Sequence, residues 1–154
     1  MLKKLKDHVS SFWKDESGSE TIEFLFSSAS LFGMIVVAFV IFSYAVELNL
    51  VNTTVKSITR SVEVTGQYNP SVMNTNFKNY LGTNSSLVYG AEPIKIYDIS
   101  NQLPGNKIQL KGTFKVTGKV TYRIPLVHPF GYNGFNVDLP IQATVTGMSE
   151  VYWR

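Results

Sequence analysis

Residues 18–46 read GSETIEFLFSSASLFGMIVVAFVIFSYAV. From Phe24 to Val46 this stretch contains 23 residues and no Asp, Glu, Lys, Arg or His. An α-helix needs about 20 mostly apolar residues to cross the hydrocarbon core of a bilayer. The stretch therefore predicts a membrane-spanning helix, and a single carboxylate, that of Glu23, lies at its N-terminal edge.

The orientation of this helix follows from the charges on either side of it. The leader, residues 1–18 (MLKKLKDHVSSFWKDESG), has four lysines. Only Lys56 and Arg60 lie within about 15 residues after the apolar run. Because lysine and arginine close to a span favour the cytoplasmic side, we expect the N-terminus inside and the C-terminus outside.

A cleavable secretory signal is the competing interpretation of the same stretch. Ser43-Tyr44-Ala45 would serve as a small-x-small cleavage site, and the mature chain would then begin at Val46. A signal peptide, however, has an apolar core of about 7–15 residues. The apolar run here is longer and its leader is partly acidic, so we favour a helix that is not cut at Ala45.

Beyond Val46 the pattern predicts that the helix continues and ends at Gly66, a residue type that commonly stops helices. Residues 47–66 contain no proline and no internal glycine. Their apolar residues recur at helical spacing, which predicts one buried stripe. The stripe consists of Val51, Val55, Ile58 and Val62.

A second, short helix is expected over residues 70–81. Asn69 can cap its N-terminus, Pro70 suits its first position, and Gly82 can close it. Residues 83–90 are expected to form a polar loop, residues 93–99 a strand, and residues 103–106 a turn.

Strict alternation of apolar and polar residues over 108–124 and 135–145 predicts two strands, each with one dry face. In the preferred arrangement they form one long antiparallel hairpin, in which Ile124 lies opposite Phe135 and Phe114 opposite Val145. This register also sets Gly112 opposite Gly147. The alternative places a hairpin loop at Val116-Thr117-Gly118.

The apolar face of the sheet must pack against another apolar surface. The stripe from Val51 to Val62 is the long apolar surface that can pack on it. The predicted fold class is therefore α+β: a long N-terminal helix packs its second half on an antiparallel sheet. The expected organisation is a leader (1–18), a membrane helix (19–46), its amphipathic continuation (47–66) and an extracytoplasmic α+β domain (67–154).

Gly18, Ser19, Glu23 and Phe24 together resemble the processing motif of the type IV pilin superfamily. Prepilins have a short basic leader that ends in glycine, and a membrane-embedded aspartyl peptidase cuts after that glycine. The fifth mature residue is glutamate, and an apolar helix follows. Cleavage after Gly18 would make Ser19 the first mature residue and would place Glu23 fifth.

Within that superfamily the chain looks most like TadE-type minor pilins or pseudopilins of tight-adherence systems. The similarity rests on the Thr-Ile-Glu-Phe sequence at 21–24 and on a single long hairpin with a Tyr-x-x-Pro end at Tyr122 to Pro125. The chain departs from tight-adherence major pilins, which are much shorter, and lacks the cysteine pair of many larger pilins.

The resemblance implies a pilin-like fold and a role in assembly for Glu23, Phe24, Ser27 and Ser30. Glu23 would pair with the new amine at Ser19, and the small side chains would let helices approach closely. The implied partners are a prepilin peptidase, other pilin subunits, a membrane platform protein and, before assembly, the bilayer. The subunit would move from the cytoplasmic membrane to a surface fibre or pseudopilus.

Other classes of function have less support in the sequence. There is no cysteine, and the two histidines, His8 and His128, stand far apart, so we predict no enzyme, no cofactor and no metal. The net charge of +3 is spread along the chain, which does not favour nucleic acid. A row of cations on one sheet face is expected to be solvated rather than to bind anionic lipid or polymer. The row consists of Lys111, Lys115, Lys119 and Arg123.

The main alternative function is that of an uncleaved, single-pass signal-anchored protein. Its outer domain would bind other components of the cell envelope. Such a protein would keep Gly18 intact, and Glu23 would simply lie at the membrane interface.

Overall fold

The computed structural model of the chain describes residues 16–82, 86–127 and 135–154. Most of the predicted leader, part of the predicted polar loop (83–85) and the segment 128–134 with His128 lie outside the described residues. The chain divides into two compact units, residues 1–42 and residues 43–154. The described part of the first unit is helical throughout.

The elements confirm the predicted α+β class. Helix α1 runs from Glu16 to Thr65 and helix α2 from Pro70 to Leu81. Five strands follow in the described part of the chain. Strands β1, β4 and β5 form an antiparallel sheet in the order β1-β4-β5, while β2 and β3 form a small hairpin. Their bounds are β1 Leu87–Tyr97, β2 Gln102–Leu103, β3 Lys107–Ile108, β4 Thr113–Val127 and β5 Phe135–Met148.

The core of the 43–154 unit lies between the sheet and the helices, and it includes the predicted stripe. Val51 and Val55 are fully buried, and Ile58 and Val62 are 3% exposed. From α2, Met73, Phe77 and Leu81 join the same core. The second half of α1 therefore supplies the cover for the sheet, as its spacing predicts.

The three predicted helix boundaries, the end of α1 and both ends of α2, are confirmed. Gly66 follows α1 with φ of 60°, and its N–H donates to the Val62 carbonyl at 2.8 Å. A left-handed residue at this position is the common way to end a helix, and glycine adopts it most easily. Asn69 caps α2 through its Oδ1, which accepts from Ser71 N at 3.0 Å, and Gly82 is the C-cap.

The long hairpin is confirmed, but its predicted register is wrong by two residues. Phe114 lies opposite Gly147, Val116 opposite Val145 and Val120 opposite Ile141. The alternative with a loop at Val116-Thr117-Gly118 is also wrong, because β4 continues through these residues. The register shifts once, between Pro125 and Val127, so that Val127 and not Ile124 lies opposite Phe135.

Two strand boundaries also differ from the prediction. Strand β1 begins at Leu87, inside the predicted polar loop, because Leu87 is buried and pairs with Tyr122. The long strand begins at Thr113 instead of Ile108. Ile108 belongs to the small β2–β3 hairpin, and Lys111 has a positive φ of 62° that interrupts the extended chain.

The C-terminal residues form hydrogen bonds near the end of α1. The sequence pattern does not predict these contacts. The Trp153 indole N–H donates to the Gly66 carbonyl at 3.2 Å, and the Trp153 backbone exchanges two hydrogen bonds with the Gln109 amide. The Lys107 ammonium lies 4.3 Å from the centre of the Trp153 ring. A side chain on Gly66 would meet Val151 Cβ at 2.7 Å, so glycine is required there for packing as well as for its backbone angle.

Candidate functional site

The first unit presents a long apolar helical surface. Most of its large apolar side chains from Ile22 to Phe42 are exposed, and Phe24, Phe26 and Phe39 are 71%, 74% and 69% exposed. The most apolar 18-residue stretch of the helix over Glu20–Thr65 has a mean hydropathy of 2.4, and none of it is buried. Length and composition suit a single membrane anchor, and they also suit a signal sequence.

The predicted processing residues lie in the first turns of α1. The backbone of Gly18 and Ser19 is helical, and the helix continues without a break through Glu23 and Phe24.

Glu23, Ser27 and Ser30 share one face of α1, because residues four and seven positions apart lie on the same side of a helix. All three are exposed, and none of them has a hydrogen bond or ion pair with another residue in the described ranges. The neighbouring Ser28 differs, since its Oγ donates to the Leu25 carbonyl at 2.9 Å. The three predicted assembly residues are thus brought together on an open surface, beside the exposed Phe24.

Glu47 is the first carboxylate after the apolar run, and its side chain is half-buried in the folded unit. Burial, with a smaller contribution from the negative charge of Glu47, raises the pKa of Tyr89 above its ordinary value. The Tyr89 hydroxyl donates to the Gly82 carbonyl at 3.1 Å. The carboxylate at position 47 is visible in the sequence, but its position in the fold is not.

An ion-pair network joins α1 to the end of β5, and sequence reasoning missed it. Arg60 binds both Glu63 and Glu150, and these bonds raise the pKa of Arg60, with Glu150 contributing most. Glu63 also accepts from the Met148 backbone N–H at 3.1 Å. The charge pattern of α1 alone gives no sign of a partner 90 residues away.

The predicted row of cations on the sheet is partly neutralised. Lys115 pairs with Asp98 at 2.7 Å, and Arg123 makes two hydrogen bonds to Asp138 at 2.8 and 3.0 Å. The bond to Arg123 lowers the pKa of Asp138 below its ordinary value. Lys111 lies outside the strand. Lys119 remains exposed, with no hydrogen bond or ion pair to a residue that the structure describes.

Among the described residues no group of His, Cys, Asp and Glu is arranged to hold a metal ion.

The fold and the site define a small α+β domain on a long helix with an apolar, exposed N-terminal part. The chain belongs to the family described as a domain of unknown function, DUF4320, which matches residues 26–154. This match begins after Phe24, so it does not include the Gly18–Phe24 motif. No curated protein and no solved structure matches the chain.

Proposed function

We propose that this chain is a prepilin-like subunit. The apolar helix holds it in the cytoplasmic membrane, a prepilin peptidase cuts after Gly18, and the mature chain is assembled as a minor pilin or pseudopilin. The product is a surface pilus or a secretion or adhesion apparatus of the tight-adherence kind. One observation carries the proposal: glycine and glutamate stand five residues apart, directly before the apolar run of a helix that continues into the core of a small domain.

The chemistry of the motif gives a reason for this spacing. In a bundle of apolar helices that excludes water, an unpaired carboxylate is costly. Cleavage after Gly18 creates an amine at Ser19, which can neutralise Glu23 of the same or a neighbouring subunit. The charge that makes Glu23 tolerable in the bundle therefore exists only after cleavage, which couples processing to assembly.

In this proposal the apolar side chains of the helix have two successive partners, lipid and then other subunits. Before cleavage, the side chains from Phe24 to Val46 contact lipid, with the leader in the cytoplasm and the 67–154 domain outside. Afterwards, the same side chains pack against the helices of other subunits, and a membrane platform protein guides their transfer. Ser27 and Ser30, beside Glu23, allow close helix contacts.

The test is the identity of the mature N-terminus. The full chain is co-expressed with a prepilin peptidase, and the product is analysed by intact mass and N-terminal sequencing. We expect Ser19 as the first residue, and we expect Gly18→Leu to abolish cleavage because a large side chain blocks the peptidase cleft. Gly33→Leu is the matched control, since a side chain at Gly33 meets no atom within 4 Å.

Each other outcome has a defined meaning. An intact Met1 in assembled material would overturn the proposal and favour the uncleaved anchor. A mature start at Val46 would show secretion after a signal peptide. Cleavage of both glycine variants at the wild-type rate would show that Gly18 does not define the site.

A further inference from the structure

The outer face of the sheet, which points away from α1 and α2, carries Lys119, a cation without an ion pair among the residues that the structure describes. Gly118 marks the inner face, because a side chain there would meet Val55 and Phe77 within 3 Å. The adjacent Lys119 therefore points outward, as strand residues alternate between faces. Lys115 and Arg123 lie on the same outer face, but Asp98 and Asp138 neutralise them. Lys119 has no such pair in the ranges 16–82, 86–127 and 135–154.

A bulge in β1 opens a groove directly beside Lys119. Tyr89 lies opposite Val120, and Ile94 lies opposite Gly118. Residues 90–93 therefore oppose Lys119 alone, and a bulge of this kind bends the strand that carries it. Two adjoining cavities of about 470 Å³ each share Glu92, Pro93, Lys95, Lys119 and Gln142 in their walls. Each cavity is within the size range of about 300–1,000 Å³ typical of small-molecule sites.

The remaining walls of the groove are partly apolar, through Val88, Ile96 and Pro140, and partly formed by polar groups that hydrogen bonds hold in place. Thr117 donates to the Tyr97 hydroxyl at 3.1 Å, and its Oγ lies 2.7 Å from that of Thr144. These bonds hold a row of hydroxyls across all three strands. The Tyr97 side chain is 45% exposed and lines one end of the groove. Lys95 binds Glu92 at 2.8 Å, so that Lys119 is the unneutralised charge among these lining groups.

We propose that this groove binds an acidic sugar residue of a polysaccharide. Hydroxyl and amide groups that both donate and accept suit the hydroxyls of a sugar ring. The exposed ring of Tyr97 offers an apolar surface with a polar end, and Lys119 suits one carboxylate or sulfate. One unpaired ammonium among the described lining residues is too little charge for nucleic acid, which is bound through several phosphate contacts.

An extended acidic peptide fits this part of the sheet less well. Peptides commonly add a strand to a free sheet edge through main-chain hydrogen bonds. At the β1 edge, the Ile94 N–H already donates to the Asn74 side chain at 3.2 Å, and Pro93 has no N–H. The groove therefore offers side-chain contacts rather than a backbone ladder. The groove lies entirely within the 43–154 unit, so its role is independent of whether the chain is cut and assembled.

The test is a titration of the full chain, in detergent micelles, with defined oligomers. Tetragalacturonate is the acidic sugar, maltotetraose the neutral sugar and tetraglutamate the acidic peptide. We expect tetragalacturonate to bind and the other two to bind at least tenfold more weakly. Lys119→Gln should weaken tetragalacturonate binding about tenfold or more, because a hydrogen bond to a charged group is lost. Lys119→Arg should retain binding.

Lys56→Gln is the matched control, because Lys56 is an exposed lysine on α1 outside the groove. Equal loss in Lys56→Gln and Lys119→Gln would reveal general charge attraction and overturn the proposal. Stronger binding of tetraglutamate would identify a peptide site instead. Equal binding of maltotetraose, or no binding of tetragalacturonate at millimolar concentration, would also overturn it.

Discussion

Glu20 and Glu23 are both exposed carboxylates near the start of α1, and only Glu23 has the spacing from Gly18 that the proposed assembly requires. We expect Glu23→Ala to leave cleavage intact and to reduce the yield of filaments roughly tenfold or more. The reason is that the Ser19 amine would lose its partner in a water-excluding bundle, and breaking such a pair costs about 3–5 kcal/mol.

Glu20→Ala is the matched control, and the readout is the mass of sheared or sedimented filaments relative to total processed subunit. We expect the control to assemble as the wild type does. Normal filaments from Glu23→Ala would show that the charge pair is not what drives assembly.

Gly118 is a second position where one residue type is required, here for packing in the core. An added Cβ would lie 2.6 Å from Val55 Cγ2 and 2.8 Å from the Phe77 ring. We expect Gly118→Ala to lower the free energy of unfolding by about 1–3 kcal/mol, as overpacking usually does. Gly90→Ala is the control, because an added Cβ there meets nothing within 4 Å.

The measurement is denaturant unfolding of the full chain in detergent, followed by near-UV circular dichroism of the buried aromatic residues. A change within about 0.5 kcal/mol is expected for the control, as for most open surface positions. If Gly118→Ala were equally mild, α1 and α2 would have to move freely over the sheet at that point.

At the scale of elements, the helices are the most predictable part of the fold. Apolar spacing identifies their buried faces. Gly66, Asn69 and Pro70 each indicate a boundary through a local physical rule, and the structure confirms all three. The C-terminal contacts of Trp153 are different. They depend on the position of Gln109 and Gly66 in space, and no local pattern around residue 153 encodes that position.

The hairpin register shows where the alternation pattern loses information. A shift of two residues keeps every side chain on its own face, so the pattern fits both registers equally well. Packing decides between them. Phe114 lies opposite Gly147. A Cβ added to Gly147 would lie 2.6 Å from the Phe114 ring, so this ring fills the space above the glycine. The predicted pairing of Gly147 with Gly112 would leave that space empty.

Both edges of the sheet carry features that oppose pairing with another sheet. On β5, the Met148 N–H donates to Glu63 Oε1 at 3.1 Å, and the Pro140 carbonyl accepts from the Tyr44 hydroxyl at 3.3 Å. Both partners belong to α1 and not to β4. The even-numbered residues of β5 therefore direct their backbone groups to the free edge of the sheet. Pro140 therefore removes one donor from that edge. These features make the domain poorly suited to associate by strand addition, in line with the proposed assembly through the helix.

This arrangement predicts that Pro140→Thr promotes self-association of the domain, because it restores an edge N–H and adds a residue that favours strands. Gln142→Thr is the control, since it adds the same residue type at the same edge without a new donor. The measurement is analytical ultracentrifugation of the full chain in detergent at several concentrations. Identical behaviour of both variants would show that Pro140 does not protect the edge.

At the scale of the whole molecule, the two candidate sites differ in how far the sequence predicts them. The Gly18–Phe24 motif is contiguous, so its spacing can be read directly from the residues. The groove at Lys119 needs the β1 bulge, the pairing of β1 with β4, and the two ion pairs that neutralise Lys115 and Arg123. These contacts join segments far apart in the chain, and the row of cations therefore looks uniform in the sequence.

The last prediction concerns the division of the chain into an apolar helical unit and a folded unit. Lysine near the centre of a membrane helix costs about 2.5–3.5 kcal/mol on insertion scales. Val36 and Val37 lie in the middle of the apolar run and are 54% and 57% exposed. We expect the double substitution Val36→Lys, Val37→Lys to release the chain from membranes in carbonate extraction or to prevent its insertion.

The control places the same two charges on the folded unit, at Val64 and Val72, which are 53% and 52% exposed. Val64→Lys with Val72→Lys should leave the chain in the membrane pellet, because exposed apolar side chains of the folded unit contribute little to anchoring. If both double variants stayed in the pellet, the domain itself would bind the membrane. If the wild type were extracted by carbonate, the apolar run would not be a stable span, and cleavage after Ala45 would become the better account of the same residues.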